Sequence, residues 1–143
     1  MSLTETQEKE VRAVLDVYAN AYRTKDLDGI MAIFSPGICG FGSGADEDFI
    51  GHEALARQFK RDMSQAAVNA MKFTETQIDG EGPVAWVMTL SAITFTVPGS
   101  EKQTIRGRST MVLRKISGRW LIEQIHFSVP YSEQSEGQSF PGA

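Results

Sequence analysis

Apolar positions fall at helical spacing in the first part of the chain and at strand spacing in the second. Val11, Val14, Leu15, Tyr18, Ala21 and Tyr22 recur three and four apart, which places them on one stripe of a helix. Thr4 followed by Gln7 has the spacing of a capping box, so the helix opens there. Asp26 is placed to cap a second, short helix over "LDGIMAIF", with Ile30, Ile33 and Phe34 turned inward and Pro36-Gly37 as its stop. "ICGFGSGADED" predicts one short strand and then an exposed acidic loop. After Gly51, "HEALARQFKRDMSQA" predicts a third helix with Leu55, Phe59 and Met63 on one side.

The pattern then changes. "MKFTETQIDG", "VAWVMTLSAITFTVPG", "QTIRGRSTMVLRKISG" and "RWLIEQIHFSVP" are rich in β-branched and aromatic residues, and the first three end at glycine, as the strands of an antiparallel meander do. Helices followed by strands predict an α+β fold, with the helices on one face of an antiparallel sheet. Alternation assigns Trp86, Met88, Leu90, Thr110, Val112, Trp120 and Ile122 to the helix-covered face. Met111, Leu113, Leu121, Ile125 and Phe127 go to the other face. That outer face keeps apolar area to bury, so a homodimer through it is expected.

In the last strand, strict alternation puts Trp120, Ile122, Gln124, His126 and Ser128 on one face, which passes from apolar to polar. His126 there has the chemistry of a general base or of a ligand-orienting group. The alternative is a partly buried histidine satisfied by Ser128 or a backbone carbonyl. Arg108 shares its face with Thr110 and Val112. Its guanidinium is suited to clamp a carboxylate, or else reaches solvent or an acid such as Glu123 or Asp48.

Composition narrows the classes. With 143 residues the chain fits one domain, expected over 1–130, followed by a flexible tail over 131–143 that has little apolar surface to bury. A net charge of -4 with scattered basic residues argues against a nucleic-acid partner. The single cysteine, Cys39, rules out an intrachain disulfide and a multi-cysteine zinc site. No apolar run is long enough to span a bilayer and the N-terminus has no apolar signal core, so a cytoplasmic protein without a membrane partner is expected. "ADED", residues 45–48, lacks the alternating ligands of a calcium loop and reads as solvated. "GFGSG" lacks the lysine of a phosphate loop. His52, at a helix start, is expected to be exposed. Neither a metal nor a cofactor is expected.

"VYANAYRTKDLDGIMAIFS", "FGSGADEDFIGHEAL", "RGRSTMVLRKISGRW" and the closing "HFSVP" resemble, in order and spacing, the nuclear-transport-factor-2-like superfamily, in its SnoaL-like and ketosteroid-isomerase-like branch. The resemblance runs from Val11 to Pro130. It implies a curved sheet wrapped around long helices, a conical pocket open at one end, and dimers through the sheet. Ketosteroid isomerases use a tyrosine on the first helix, matched by Tyr18, and two carboxylic acids. The positions of the acids fall at Gly42 and near Thr110, so the resemblance does not carry over proton abstraction by those residues. Many SnoaL-like relatives have two histidines before the Ser-Val-Pro ending; here Gln124 takes the place of the first and His126 remains. Glu47 matches an acidic position common in the family.

The resulting expectation is a small-molecule site in which His126 and Tyr18 act on a ligand oxygen. Trp86, Met88 and Trp120 would supply apolar contact, and Arg108, Thr110, Gln124 and Ser128 would line the pocket. The function implied is that of a SnoaL-like binding protein, or of an isomerase, cyclase or hydratase acting on an apolar oxygenated ligand. The alternative is an oligomerisation module resembling the association domain of calcium/calmodulin-dependent kinases.

Overall fold

The computed structural model describes residues 2–143. Thr4 caps the first helix reciprocally with Gln7: its hydroxyl accepts from the Gln7 N–H at 3.1 Å, and the Gln7 side chain accepts from the Thr4 N–H at 2.9 Å. Helix α1 runs over Glu5–Thr24 and buries Val11, Val14, Leu15 and Ala21, the stripe its spacing predicts. Asp26 caps α2, Leu27–Met31, by accepting from the Gly29 N–H at 2.9 Å. Helix α3, His52–Gln65, buries Leu55 and Phe59.

The strands are β1 (Phe34–Phe41), β2 (Asp48–Ile50), β3 (Ala67–Glu81), β4 (Val84–Thr96), β5 (Gln103–Ile116) and β6 (Arg119–Ser128). They form one sheet in the order β2-β1-β6-β5-β4-β3. All neighbours are antiparallel except β1 and β6, which run parallel. Helix α1 lies against β3 and reaches β6, while α3 rests on β1 and β2, all on one face. Pro36 and Gly37 do not end a helix, because α2 has closed at Met31; they lie inside β1. The β1–β6 register shifts between Phe34 and Cys39, so the proline falls where no regular ladder bond is required of it.

The two faces are assigned differently from the sequence expectation. Ala85, Val87, Met111 and Leu113 are buried under the helices, whereas Trp86 is 49% and Met88 59% exposed. In β4 both parities are apolar, so alternation alone does not choose between them. Ala85 and Val87 join Met111 and Leu113 in the core, and the bulkier set is left outside. In β6 the register with β5 shifts between Val112 and Leu113: Leu113 pairs with Ile122 but Val112 with Gln124. The extra residue, Glu123, is a bulge that reverses the phase of the strand. Trp120 and Ile122 point into the core before it, and Ile125 points into the core after it. His126 and Gln124 therefore turn outward, away from the helices.

From Val129 onward nearly every residue is exposed, and the segment's polar groups bond among themselves, as Gln134 and Gln138 do. No helix among the described residues is long and apolar enough to cross a membrane.

Ile125 is 5% exposed on the helix-covered face. Ile125→Lys is accordingly expected to lose at least about 3 kcal/mol of stability, because it buries an unpaired charge. Chemical denaturation checks this, and a variant that keeps its midpoint would contradict the assignment of that face.

Candidate functional site

Helices α1 and α3 splay over the curved sheet and leave between them a conical cavity of about 260 Å³. Four aromatic rings surround Tyr18: Phe73 at 5.5 Å, Phe34 at 5.8 Å, Phe59 at 6.1 Å and Tyr22 at 6.3 Å between centroids. Most are met edge to face, the arrangement that ring quadrupoles favour. Ile125 and Phe127 from β6 and Phe95 from β4 extend the apolar wall.

One carboxyl group stands inside this aromatic wall. Asp62 follows Phe59 by three residues and Leu55 by seven, so it shares the buried face of α3. Tyr22 donates to its Oδ2 at 2.9 Å, and Gln58, one turn earlier, donates to its Oδ1 at 2.8 Å. Burial pushes the Asp62 carboxyl up from the ordinary carboxylate range, and the charge of Glu47 adds to this. The two hydrogen bonds and the charge of Arg61 work in the opposite direction without cancelling it. The phenols of Tyr18 and Tyr22 are also pushed up, first by burial and then by the charge of Asp62, so both are neutral donors at physiological pH. Among the described residues nothing hydrogen-bonds the Tyr18 hydroxyl.

A second carboxylate reaches the cone from the loop between β1 and β2. Glu47 folds back so that its Oε2 accepts from the Gly44 N–H at 2.7 Å, while the Gly42 N–H bonds the Glu47 carbonyl at 2.7 Å. A Cβ on Gly42 would come within 2.5 Å of Glu47 Oε1, and one on Gly44 would collide with Oε2. The two glycines thus make room for the carboxylate. Arg61 forks onto Asp46 at 2.7 and 3.0 Å and stands 3.9 Å from Glu47. Only part of the "ADED" run is therefore solvated, since Glu47 is held partly buried.

Of the residues expected at the site, the structure brings Tyr18 alone into the cone. Trp120 is 5% exposed in the core and does not line the cavity. Trp86, Met88, Arg108, Thr110, Gln124, His126 and Ser128 do come together, but on the uncovered face of the sheet. Register places Trp86 beside Val112 and Gln124, Met88 beside Thr110 and His126, and Leu90 beside Arg108 and Ser128. Two adjoining grooves of about 750 and 420 Å³ run over them. His126 meets the Phe41 ring edge-on at 5.6 Å. His52 is half-buried, its Nε2 3.0 Å from the Met31 carbonyl. The sequence reading missed Asp62 and Gln58 as site residues; the signal was an acid standing on the apolar stripe of α3. No group of three or more His, Cys, Asp or Glu side chains among the described residues could hold a metal ion.

A family model described as a SnoaL-like domain matches residues 11–132. No curated protein matches the chain in sequence. Among solved structures it is similar to an NTF2-like protein of unknown function from Pseudomonas putida, with 21% identity, TM-score 0.79 and 96% of each chain covered. It is also similar to a ketosteroid isomerase-like protein from Erwinia carotovora atroseptica, with 17% identity, TM-score 0.77 and coverage of 90% of this chain and 99% of that one. A third, provisionally described as a dehydratase of the NTF2-like family, comes from Streptomyces avermitilis; it has 15% identity, TM-score 0.79 and coverage of 90% and 100%. At such identities the likeness establishes the fold, the cone-shaped α+β architecture expected from the sequence.

Because the folded-state value of the Asp62 carboxyl lies above the unfolded one, the folded protein holds this proton to higher pH. Its stability therefore falls as pH rises from the unfolded value, about 3.9, through the folded one. Asp62→Asn has no charge to bury, so it is expected to gain stability relative to the unsubstituted protein between about pH 4 and about pH 7. Thermal melts of both proteins at the two pH values check this; a difference that does not change with pH contradicts it.

Proposed function

Because the chain belongs to the SnoaL-like domain family, we propose that its cone binds a small, largely apolar, oxygenated molecule and moves a proton on it, in the manner of an isomerase, cyclase or hydratase. The observation that carries this reading is the Asp62 carboxyl, buried in an aromatic wall with two neutral phenols beside it. A carboxyl whose proton affinity is raised by burial is better suited than an exposed one to take up and return a proton. The Tyr18 hydroxyl, without a hydrogen-bond partner among the described residues, is the group to hydrogen-bond the ligand oxygen. Two of the similar structures are described as an isomerase-like protein and, provisionally, as a dehydratase, reaction classes in which a proton moves on an oxygenated carbon frame.

Native mass spectrometry of the protein purified from its host tests the reading. A bound mass is expected, and Tyr18→Phe should weaken its retention roughly tenfold, the effect of one lost buried hydrogen bond. Protein that carries no bound mass, in any preparation from its host, speaks against it.

The uncovered sheet face supports a homodimer in the same proposal. Trp86, Met88, Leu90, Phe41 and Ile50 are all exposed there, and Ile50 is 88% exposed. In this reading His126, Arg108, Gln124 and Thr110 belong to the association surface. Trp86→Glu is expected to shift the protein to monomer in sedimentation experiments at micromolar concentration, while His126→Ala leaves ligand retention in the cone unchanged. Wild-type protein that sediments as a monomer would remove this part of the proposal.

A further inference from the structure

The charges that line the cone are of one sign. Glu47 and Asp62 line it with the phenols of Tyr18 and Tyr22, and no lysine, arginine or histidine does. Arg61 is forked onto Asp46 at 2.7 and 3.0 Å, stands 3.9 Å from Glu47 on its outer side, and is not among the lining residues. Asp62 receives hydrogen bonds only from neutral donors, Tyr22 and Gln58. The chain has gone to some length to keep Glu47 there, since Gly42 and Gly44 leave the space that its carboxylate fills. Much of the remaining wall is aromatic, and ring faces attract cations as carboxylates do. In a partly enclosed cavity these preferences weigh more than they would at the open surface, and a ligand carboxylate or phosphate would meet two carboxyl groups with only neutral donors to offset them.

We propose that the ligand of the cone is a cation: a compact apolar frame that carries, besides its oxygen, a protonated amine held by the carboxylates of Glu47 and Asp62 and by the aromatic wall. This rests on the cone being the ligand site and adds the charge of the ligand to that reading.

Benzylamine, benzyl alcohol and benzoate test it, because they share one frame and are a cation, a neutral molecule and an anion at neutral pH. Binding is followed by protein-observed NMR, with shifts mapped to the cone residues. Benzylamine is expected to bind roughly tenfold or more tightly than benzyl alcohol, as for a hydrogen bond to a charged group. Benzoate is expected not to bind, and Glu47→Gln and Asp62→Asn should each draw the affinity for the amine toward that for the alcohol. If the alcohol or benzoate binds the cone as tightly as the amine, the charge assignment falls while the cone stands as the ligand site. An amine preference that survives both substitutions also overturns it. If none of the three perturbs the cone, the proposal and the reading it rests on fall together.

Discussion

The carboxyl of Asp62 is the point at which two splayed helices are tied together over the sheet. Tyr22 reaches it from α1 across the gap, while Gln58, one turn earlier on α3 itself, holds its other oxygen, so the Tyr22 bond that satisfies the buried carboxyl also joins the two helices. Around this tie the rings of Tyr18, Tyr22 and Phe59 fill the closed end of the gap, and the rest stays open as the cone. Replacing the carboxyl by a methyl-bearing side chain would leave the Tyr22 hydroxyl and the Gln58 amide without their acceptor, at the site where the helices depend on one another. A carboxylate is costly to bury, and the structure retains this carboxyl in the wall of the cone.

The local features were legible in the sequence. The Thr4–Gln7 box, the Asp26 cap, the stripe on α1 and the β3–β6 meander each depend on residues a few positions apart, and they appear as their spacing implies. The faces of the sheet were not legible, because β4 is apolar on both parities and the choice is made by the assembled core, where Ala85 and Val87 pack with Met111 and Leu113. The phase of β6 was hidden for a different reason. Glu123 looks like any strand residue, yet as a bulge it sends His126 outward and Ile125 inward. The residues expected around His126, among them Trp86, Met88, Thr110 and Gln124, lie together on the uncovered face.

Asp62 shows the converse. It was written plainly on the stripe of α3, seven residues after Leu55, but an acid on an apolar face is easily read as belonging to the polar side next door. Glu47 needed the fold itself, since only the path of the loop between β1 and β2 turns one of three neighbouring acids inward. Asp46 beside it stays outside on Arg61.

The parallel pairing of β1 with β6 joins residues 34–41 to residues 119–128, almost the full span of the domain. All other strand pairs close over short turns or loops, so they can form soon after their residues are available. The β1–β6 pair cannot: its first strand must wait, with one edge unpaired, until the last strand has been made. During synthesis the wall of the cone that carries Glu47 is therefore the last to close. A chain interrupted before residue 119 would present an apolar edge to its surroundings, where chaperones or aggregation compete with folding.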